Sequence, residues 1–256
     1  MKTNFLKAFA IFALFAASSC SNDDTNPNNP SVNGLKPTKI VEADANGTEQ
    51  NVLTFTYNGN KLTEVANSAK IDGVASIKYY YTGDQVTKYE TVRPSWGTEA
   101  SEIEYNTSGK ISKITHKNKS GDVNSTSVYT YNSNGTVTVA TSYPTNPQWA
   151  GTATLTYNGN NVTIFEQTFN SSTTTKEFTY DTNNYNYLKN VAGMDAVRVM
   201  GYVHHFYMFP GTNFVTEYKI TSNGTTSTNT YTGTFNSDKL PTKVTQQDGR
   251  TFTITY

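Results

Sequence analysis

LTFTYNGNKLTEV, residues 53–65, contains a complete β-hairpin and decides the fold of this chain. Its first half alternates apolar residues with threonine, which is typical of a strand that buries one face. If Asn58 pairs with Lys61, then Gly59 and Asn60 form a two-residue loop. Such dipeptides supply the positive φ that tight hairpin turns require. The stretch therefore predicts two antiparallel strands in a fixed register.

The same design recurs along most of the chain. The copies are LTFTYNGNKLTEV (53–65), IKYYYTGDQVTKY (77–89), EIEYNTSGKISKI (102–114), VYTYNSNGTVTVA (128–140), ATLTYNGNNVTIF (153–165), EFTYDTNNYNYL (177–188) and YTGTFNSDKLPTKV (231–244). An aromatic residue ends each first strand, at intervals of 24, 24, 26, 26, 23 and 55 residues: Tyr57, Tyr81, Tyr105, Tyr131, Tyr157, Tyr180 and Phe235. The long gap leaves room for one degenerate copy near 203–220. A period of this kind indicates a repeat architecture.

Two turn chemistries preserve one facing pair of residues. Gly83-Asp84 and Gly159-Asn160 repeat the two-residue loop, whereas 105–111 and 131–137 contain one more residue, with glycine last. That longer form is the three-residue loop with glycine in the left-handed position. Both forms place the aromatic residue opposite the next apolar one, and the predicted pairs are Tyr57 with Leu62, Tyr105 with Ile111 and Tyr131 with Val137. The register is therefore specified.

The two ends of the repeat region are half-hairpins. Residues 36–40 (KPTKI) resemble 240–244 (LPTKV) and form a return strand without a partner, while 251–256 form a first strand without a return. We predict an all-β antiparallel meander of about 16–18 strands, each about 6–8 residues long, curled or closed like a barrel. An open sheet of that number would span on the order of 80 Å with one apolar face exposed.

Two kinds of closed sheet fit this pattern. A round barrel of this strand number leaves a water-filled lumen, so its apolar face would have to point outward into lipid. Alternatively, a flattened or plugged sheet keeps the apolar face dry. The C-terminal TFTITY resembles the last strand of a membrane barrel. Strands of 9–11 residues are needed to span a bilayer, and the apolar face is richer in tyrosine than in leucine or valine, so we favour the second alternative.

Residues 188–210 break the repeat. The segment holds three of the four methionines and two of the three histidines, and it has no hairpin turn. We interpret it as a short helix or plug that fills the core; a ligand pocket lined by these residues is the alternative.

The first nineteen residues predict an export signal. Lys2 and Lys7 precede an apolar run from Ala8 to Ala17, which matches a secretory signal and is too short for a transmembrane helix. Small residues then lead into Cys20, the only cysteine of the chain. This arrangement resembles the relaxed lipobox of Bacteroidetes lipoproteins, which implies cleavage after residue 19 and lipid on the Cys20 sulfur. An ordinary cleaved signal with a free cysteine is the alternative.

The domain organisation follows from these features: signal peptide 1–19, lipidated Cys20 with a flexible tether to residue 34, and a hairpin-repeat domain 35–256. The SNDDT that follows Cys20 resembles the export tag of surface-exposed lipoproteins, and the rest of the tether is nearly all polar, Pro or Gly. Removing Lys2 and Lys7 with the signal leaves 18 basic and 20 acidic residues, a net charge of −2. No basic run indicates a nucleic-acid partner.

Several resemblances point to one group of proteins. The Tyr-Asn and Tyr-Asp turn units resemble the YD-type repeats of large bacterial surface proteins. Together with the lipobox and the tether, they resemble a Bacteroidetes lipoprotein family with a porin-like fold. The resemblance implies an outer-membrane lipoprotein that faces the cell exterior. Its motifs are turn motifs, and the family provides no active site to transfer.

The sequence offers little catalytic chemistry. Glu102 and Glu104 share a strand face, but alternating acids on a solvated face are far commoner than a catalytic pair. His204 and His205 are adjacent, so on a strand they point to opposite faces, and His116 is distant in sequence. We predict no enzymatic activity, no metal and no cofactor.

Trp96 and Trp149 are the candidate binding residues. Both lie in longer loops at matching places two repeats apart, on one rim and about 19 Å apart at four strand spacings. Exposed indoles there suit stacking on sugar rings, whereas indoles that cap the core are the plainer interpretation. We predict a surface lipoprotein that binds an extracellular glycan or protein. The alternatives are a structural envelope protein and a glycan-processing enzyme.

Overall fold

The computed structural model describes residues 34–70, 73–169, 172–194 and 211–256, which form a closed antiparallel barrel of sixteen strands. The strands are β1 (Lys39–Ala43), β2 (Glu49–Asn58), β3 (Lys61–Asn67), β4 (Ser76–Thr82), β5 (Gln85–Arg93), β6 (Gly97–Tyr105), β7 (Ile111–Lys117), β8 (Val123–Tyr131), β9 (Val137–Ser142), β10 (Gly151–Asn158), β11 (Asn161–Phe169), β12 (Ser172–Tyr185), β13 (Asn213–Ser222), β14 (Thr225–Phe235), β15 (Pro241–Gln246) and β16 (Thr251–Thr255). Each strand pairs with its neighbour in sequence. The predicted all-β meander is confirmed.

The tight turns set the register as the sequence predicts. Asn58 lies opposite Lys61, and the three predicted facing pairs are present: Tyr57 with Leu62, Tyr105 with Ile111 and Tyr131 with Val137. The turn glycines adopt positive φ, for example 62° at Gly59 and 72° at Gly109. Both turn types therefore give the same alignment of the strands that they join.

The two half-hairpins at the chain ends complete each other. β1 pairs with β16 along its whole length, and Ile40 lies opposite Ile254. The unpaired return strand and the unpaired first strand thus form the sixteenth strand-to-strand contact and close the barrel. Closure removes both sheet edges, which would otherwise present unpaired backbone groups.

The barrel has two unlike ends. The end that carries the tight turns at 58–61, 82–85, 105–111, 131–137 and 158–161 is called the turn rim. The opposite end carries the connections 43–49, 93–97, 117–123 and 142–151 and is called the loop rim. Each successive hairpin adds one turn to the first rim and one connection to the second.

Tyrosine hydroxyls join neighbouring hairpins near the turn rim. Tyr105 donates to the backbone oxygen of Val86 at 2.7 Å, and Tyr180 donates to that of Val162 at 2.7 Å. The same bond recurs for other repeats: Tyr57 to Pro37, Tyr131 to Ile111 and Tyr256 to Pro241. Because each bond reaches from the end of a first strand to the start of the strand before it, the ladder crosses between hairpins rather than within one.

The apolar face points into the barrel. The interior residues form one cluster that includes Ile40, Leu53, Phe55, Ile103, Leu155, Phe165 and Phe252. The outer wall carries cross-strand ion pairs instead, with Lys117 at 2.6 Å from Glu102 and Lys113 at 2.8 Å from Glu104. Charged side chains on a lipid-facing wall are destabilising. The outer wall therefore fits a barrel that keeps its apolar face inside, rather than one whose apolar face points outward into lipid.

A plug closes the barrel at the turn rim. After β12 the chain leaves the wall, and Tyr187, Leu188, Val191 and Met194 are buried in the core. The backbone N–H of Ala192 donates to Asn60, and the Tyr81 hydroxyl donates to the oxygen of Ala192. The predicted plug is confirmed for residues 188–194; the rest of the predicted segment, 195–210, lies outside the described residues.

Two expectations about the secondary structure need correction. Strands range from 5 to 14 residues rather than about 6–8. Residues 177–185 continue one long strand, β12, instead of forming a hairpin, because the chain departs into the plug and returns only at β13. Within the segment predicted as a short helix or plug, residues 188–193 form turns. A short 3₁₀ helix, Pro147–Trp149, lies in the connection between β9 and β10. Within the described ranges, no helix is both long and apolar enough to cross a membrane.

Candidate binding rim

Trp96 projects from the connection between β5 and β6. A turn closed by the Trp96 N–H to the Arg93 oxygen, at 3.0 Å, holds its backbone. The Nζ of Lys119 lies 4.8 Å from the centroid of the indole, which is within the range of a cation–π contact. Gly97 gives the lysine room, because a Cβ there would lie 3.1 Å from the Cβ of Lys119. Trp96 nevertheless stays 58% exposed.

Trp149 ends the 3₁₀ turn between β9 and β10. Its N–H donates to the oxygen of Asn146 at 2.9 Å. The ring of Tyr143 meets it edge to face, with centroids 6.1 Å apart. Trp149 is 46% exposed, so this contact orients the indole without covering it.

Both tryptophans lie on the loop rim. Each connection joins an odd-numbered strand to the next even-numbered one, and four strand spacings separate the two connections. Neither indole caps the core, since both remain about half exposed. Their role in ligand binding stays a prediction.

The interior becomes polar between mid-wall and the loop rim. In the described part of the chain, nine polar side chains are buried, and Asn161 and Asn186 lie at the turn rim. The remaining seven lie in the half next to the loop rim: Asn51, Asn67, Ser76, Ser101, Ser125, Ser127 and Gln246. The interior is therefore plugged at one end and richer in buried polar side chains at the other.

A polar strip crosses the inner wall between the two tryptophan loops. It consists of Arg93, Glu99, Ser101, His116, Ser125, Ser127 and Thr141 and is called the inner polar strip. Each member shares a face with core residues, because strand residues two apart point the same way; Ser101, for example, precedes the buried Ile103.

Hydrogen bonds join six members of this strip in three pairs. Arg93 forms an ion pair with Glu99, and both side chains remain partly exposed. The Ser101 hydroxyl lies 2.7 Å from Nδ1 of His116, and Ser127 lies 2.9 Å from Thr141. Burial lowers the pKa of His116, because a desolvated imidazole resists protonation. The histidine is therefore neutral at neutral pH, and the strip carries one compensated pair of charges.

Within the described ranges, the other candidates from the sequence do not assemble into a reactive centre. Glu102 and Glu104 lie on the outer wall, each bound to a lysine across the strand pair. Among the described residues, no group of three or more His, Cys, Asp or Glu side chains is placed to hold a metal ion. His204, His205 and Cys20 lie outside the described ranges.

Sequence reasoning missed the inner polar strip although a signal was present. Every second residue of β6 lies on the same face, and on the face of Tyr105 these residues are Glu99, Ser101 and Ile103. The face predicted to point inward at the tyrosine therefore begins with two polar residues. Following the parity from each tyrosine back to the loop rim would have placed Glu99 and Ser101 inside the barrel.

Comparisons with known proteins concern the fold. No family model matches the chain, and no curated protein matches it. Among solved structures, it is similar to a porin-like protein from Bacteroides vulgatus, with a TM-score of 0.42, 10% identity and coverage of 87% of this chain and 99% of that one. It is also similar to a porin-like protein from Bacteroides uniformis, with a TM-score of 0.37, 14% identity and coverage of 86% and 97%.

Proposed function

We propose that this protein is a lipid-anchored protein of the outer membrane, facing the cell exterior, that binds extracellular glycans through Trp96 and Trp149 without cleaving them. The observation that carries the proposal is the exposure of both indoles on one rim of a rigid barrel. Aromatic rings offer large flat apolar faces with a polar edge. Loops on a rigid scaffold are also where binding residues concentrate.

The position of the N-terminal segment supports this arrangement. Leu35 accepts a hydrogen bond from Asn190 at 2.9 Å, and Pro37 accepts one from Tyr57 at 2.8 Å, so the chain enters the barrel at the turn rim. Thirteen residues lie between Cys20 and Gly34, and the tether predicted for this stretch would span about 20 Å. A lipid on Cys20 would hold the plugged end near the membrane and direct the tryptophans away from it.

The interior supports binding rather than conduction. Apolar side chains of the plug fill the turn-rim end, and Val191 is 1% exposed. A channel needs a continuous polar lumen, whereas seven of the nine buried polar side chains of the described residues lie in the half next to the loop rim.

The test is a glycan array probed with residues 35–256, followed by titration calorimetry on the glycans that bind. Trp96→Ala and Trp149→Ala should each weaken binding by about 1–3 kcal/mol and leave the melting temperature unchanged. Tyr80→Ala is the matched control, because Tyr80 is an exposed aromatic residue on the outer wall, 42% accessible. Product release from bound glycans would support the enzyme alternative. Binding that survives both tryptophan substitutions, or no binding at all, would exclude the proposed site.

A further inference from the structure

Trp96 and Lys119 lie on neighbouring connections of the loop rim, 93–97 and 117–123, and contact each other. The Nζ of Lys119 is 4.8 Å from the centroid of the indole. The stem of the lysine packs on Gly97, which has a φ of 107° and where a Cβ would lie 3.1 Å from the lysine Cβ. The indole and the ammonium therefore form one unit, called the Trp96–Lys119 pair.

Both side chains of the Trp96–Lys119 pair are open to solvent. Trp96 is 58% exposed, and Lys119 belongs to the exposed residues of its connection. A ligand that approaches the loop rim from outside thus reaches the indole and the ammonium without entering the barrel.

The ammonium of Lys119 has no acidic partner in the described part of the chain. The other cations of the two connections are held in ion pairs: Arg93 with Glu99, and Lys117 with Glu102. The acid of its own connection, Asp122, instead accepts a hydrogen bond from the Asn118 amide at 3.3 Å. The positive charge beside the indole is therefore not neutralised by a direct contact.

An anion is a stronger partner for this ammonium than the indole is. A cation–π contact at an exposed site is weak, whereas a hydrogen bond from an ammonium to a carboxylate or sulfate oxygen is charge-assisted and strong. A sugar that carries such a group can place its ring on the indole and give the ammonium an anionic oxygen. A neutral sugar offers the ammonium only hydroxyl oxygens, so the Trp96–Lys119 pair favours an acidic ring.

The connection that carries Trp149 lacks this charge. Residues 142–151 contain no Lys, Arg, Asp or Glu, and the neighbour of the Trp149 indole is the ring of Tyr143. The two tryptophan connections lie about 19 Å apart at four strand spacings. We therefore expect the charge of the ligand to be read at Trp96 and not at Trp149.

We infer that the bound glycan is acidic, with one ring stacked on Trp96 and the carboxylate or sulfate group of that ring bound to the ammonium of Lys119. This inference rests on the proposed function and names the ligand class and one further binding residue. A lysine ammonium is a point charge without the planar fork of arginine, so it accepts either anionic group.

The experiment is calorimetric titration of residues 35–256 with oligomers of galactose, of galacturonate and of sulfated galactose, all of the same length. The acidic oligomers should bind more tightly than the neutral ones. Their advantage should shrink as the salt concentration rises toward about 1 M, because salt screens an exposed ion pair. The two acidic series show whether the carboxylate or the sulfate is the better anion.

Substitutions of Lys119 assign the preference to one side chain. Lys119→Gln should lower affinity for the acidic oligomers about tenfold, since a hydrogen bond between charged groups is lost, and should leave affinity for the neutral oligomers unchanged. Lys119→Arg keeps the charge and should keep the preference. Lys110→Gln is the matched control, because the Nζ of Lys110 lies 4.9 Å from the ring centroid of Tyr131 at the turn rim.

The outcomes separate this inference from the proposed function. If Trp96→Ala weakens binding while neutral and acidic oligomers bind equally, or while Lys119→Gln behaves like Lys110→Gln, the proposed function stands and the ligand class is wrong. If no oligomer binds, both are wrong. Should Lys119→Gln lower the melting temperature, the behaviour of Lys119→Arg and the salt dependence of the unaltered protein decide the question.

Discussion

The hydroxyl of Tyr105 donates a 2.7 Å hydrogen bond to the backbone oxygen of Val86, the residue that lies opposite Tyr81 in the preceding hairpin. One residue therefore serves two repeats, because Val86 faces the aromatic residue of its own hairpin and accepts a bond from that of the next. A tight turn sets the register within a hairpin, and this bond fixes one hairpin against another.

Tyr105→Phe should lower the free energy of unfolding by about 1 kcal/mol, the usual net contribution of one hydrogen bond. The ring keeps its packing, so the loss reports on the hydroxyl alone. Urea unfolding measures it. Tyr80→Phe is the control, because the Tyr80 hydroxyl bonds to Glu90 on the solvated outer wall. If both substitutions lowered the free energy of unfolding equally, the tyrosine hydrogen bonds between hairpins would stabilise the barrel no more than a bond on the outer wall.

Stability should fall at alkaline pH. Burial raises the pKa of Tyr105 and of Tyr231 to about 12, from an ordinary value of 10.0. The unfolded chain then releases these protons at lower pH than the folded chain does. The associated stability is fully present below about pH 10 and is lost as pH rises toward 12. Urea unfolding measured from pH 9 to 12 checks this, and Tyr105→Phe should make the decline shallower.

Most of the fold could be predicted from the sequence because the same hairpin pattern repeats along the chain. Turn chemistry at Gly59 and Gly109 sufficed to predict the facing pairs, because a side-chain period of two leaves one register that buries the apolar face. The half-hairpins at 36–40 and 251–256 indicated that each end lacked a partner. Each of these signals is local, because the residues that form it lie within about a dozen positions of one another.

The plug and the inner polar strip depend on distant parts of the chain. Nothing near Tyr180 shows that β12 runs on to Tyr185 and that the chain then enters the barrel, because the burial of Val191 depends on strands far away in sequence. Likewise, the pairing of Ser101 with His116 puts two polar residues inside only because the barrel closes. The positions of Trp96 and Trp149 were predictable because both loops belong to the repeat.

Gly109→Val should destabilise the protein by about 1–3 kcal/mol, because a β-branched residue is strained at a φ of 72°. Crowding is not the cause, since a Cβ there would meet only the Gln85 side chain, at 3.5 Å. Gly109→Asn is the control and should cost less, as asparagine tolerates the left-handed region. Thermal unfolding that is the same for glycine, asparagine and valine at this position would contradict the strain argument.

Cys20→Ala should abolish lipid attachment, because the thioether to the lipid requires the Cys20 sulfur. Metabolic labelling with a palmitate analogue and partition into detergent measure the loss, and the altered protein should appear in the soluble fraction with its barrel intact. The matched control is Ser19→Ala, which keeps a small residue before the predicted cleavage site and should leave lipidation unchanged. Since the barrel begins beyond residue 34, its thermal unfolding should be the same with and without the lipid. Palmitate labelling of the Cys20→Ala protein would show that the anchor lies elsewhere, and the orientation proposed for the loop rim would then lose its basis.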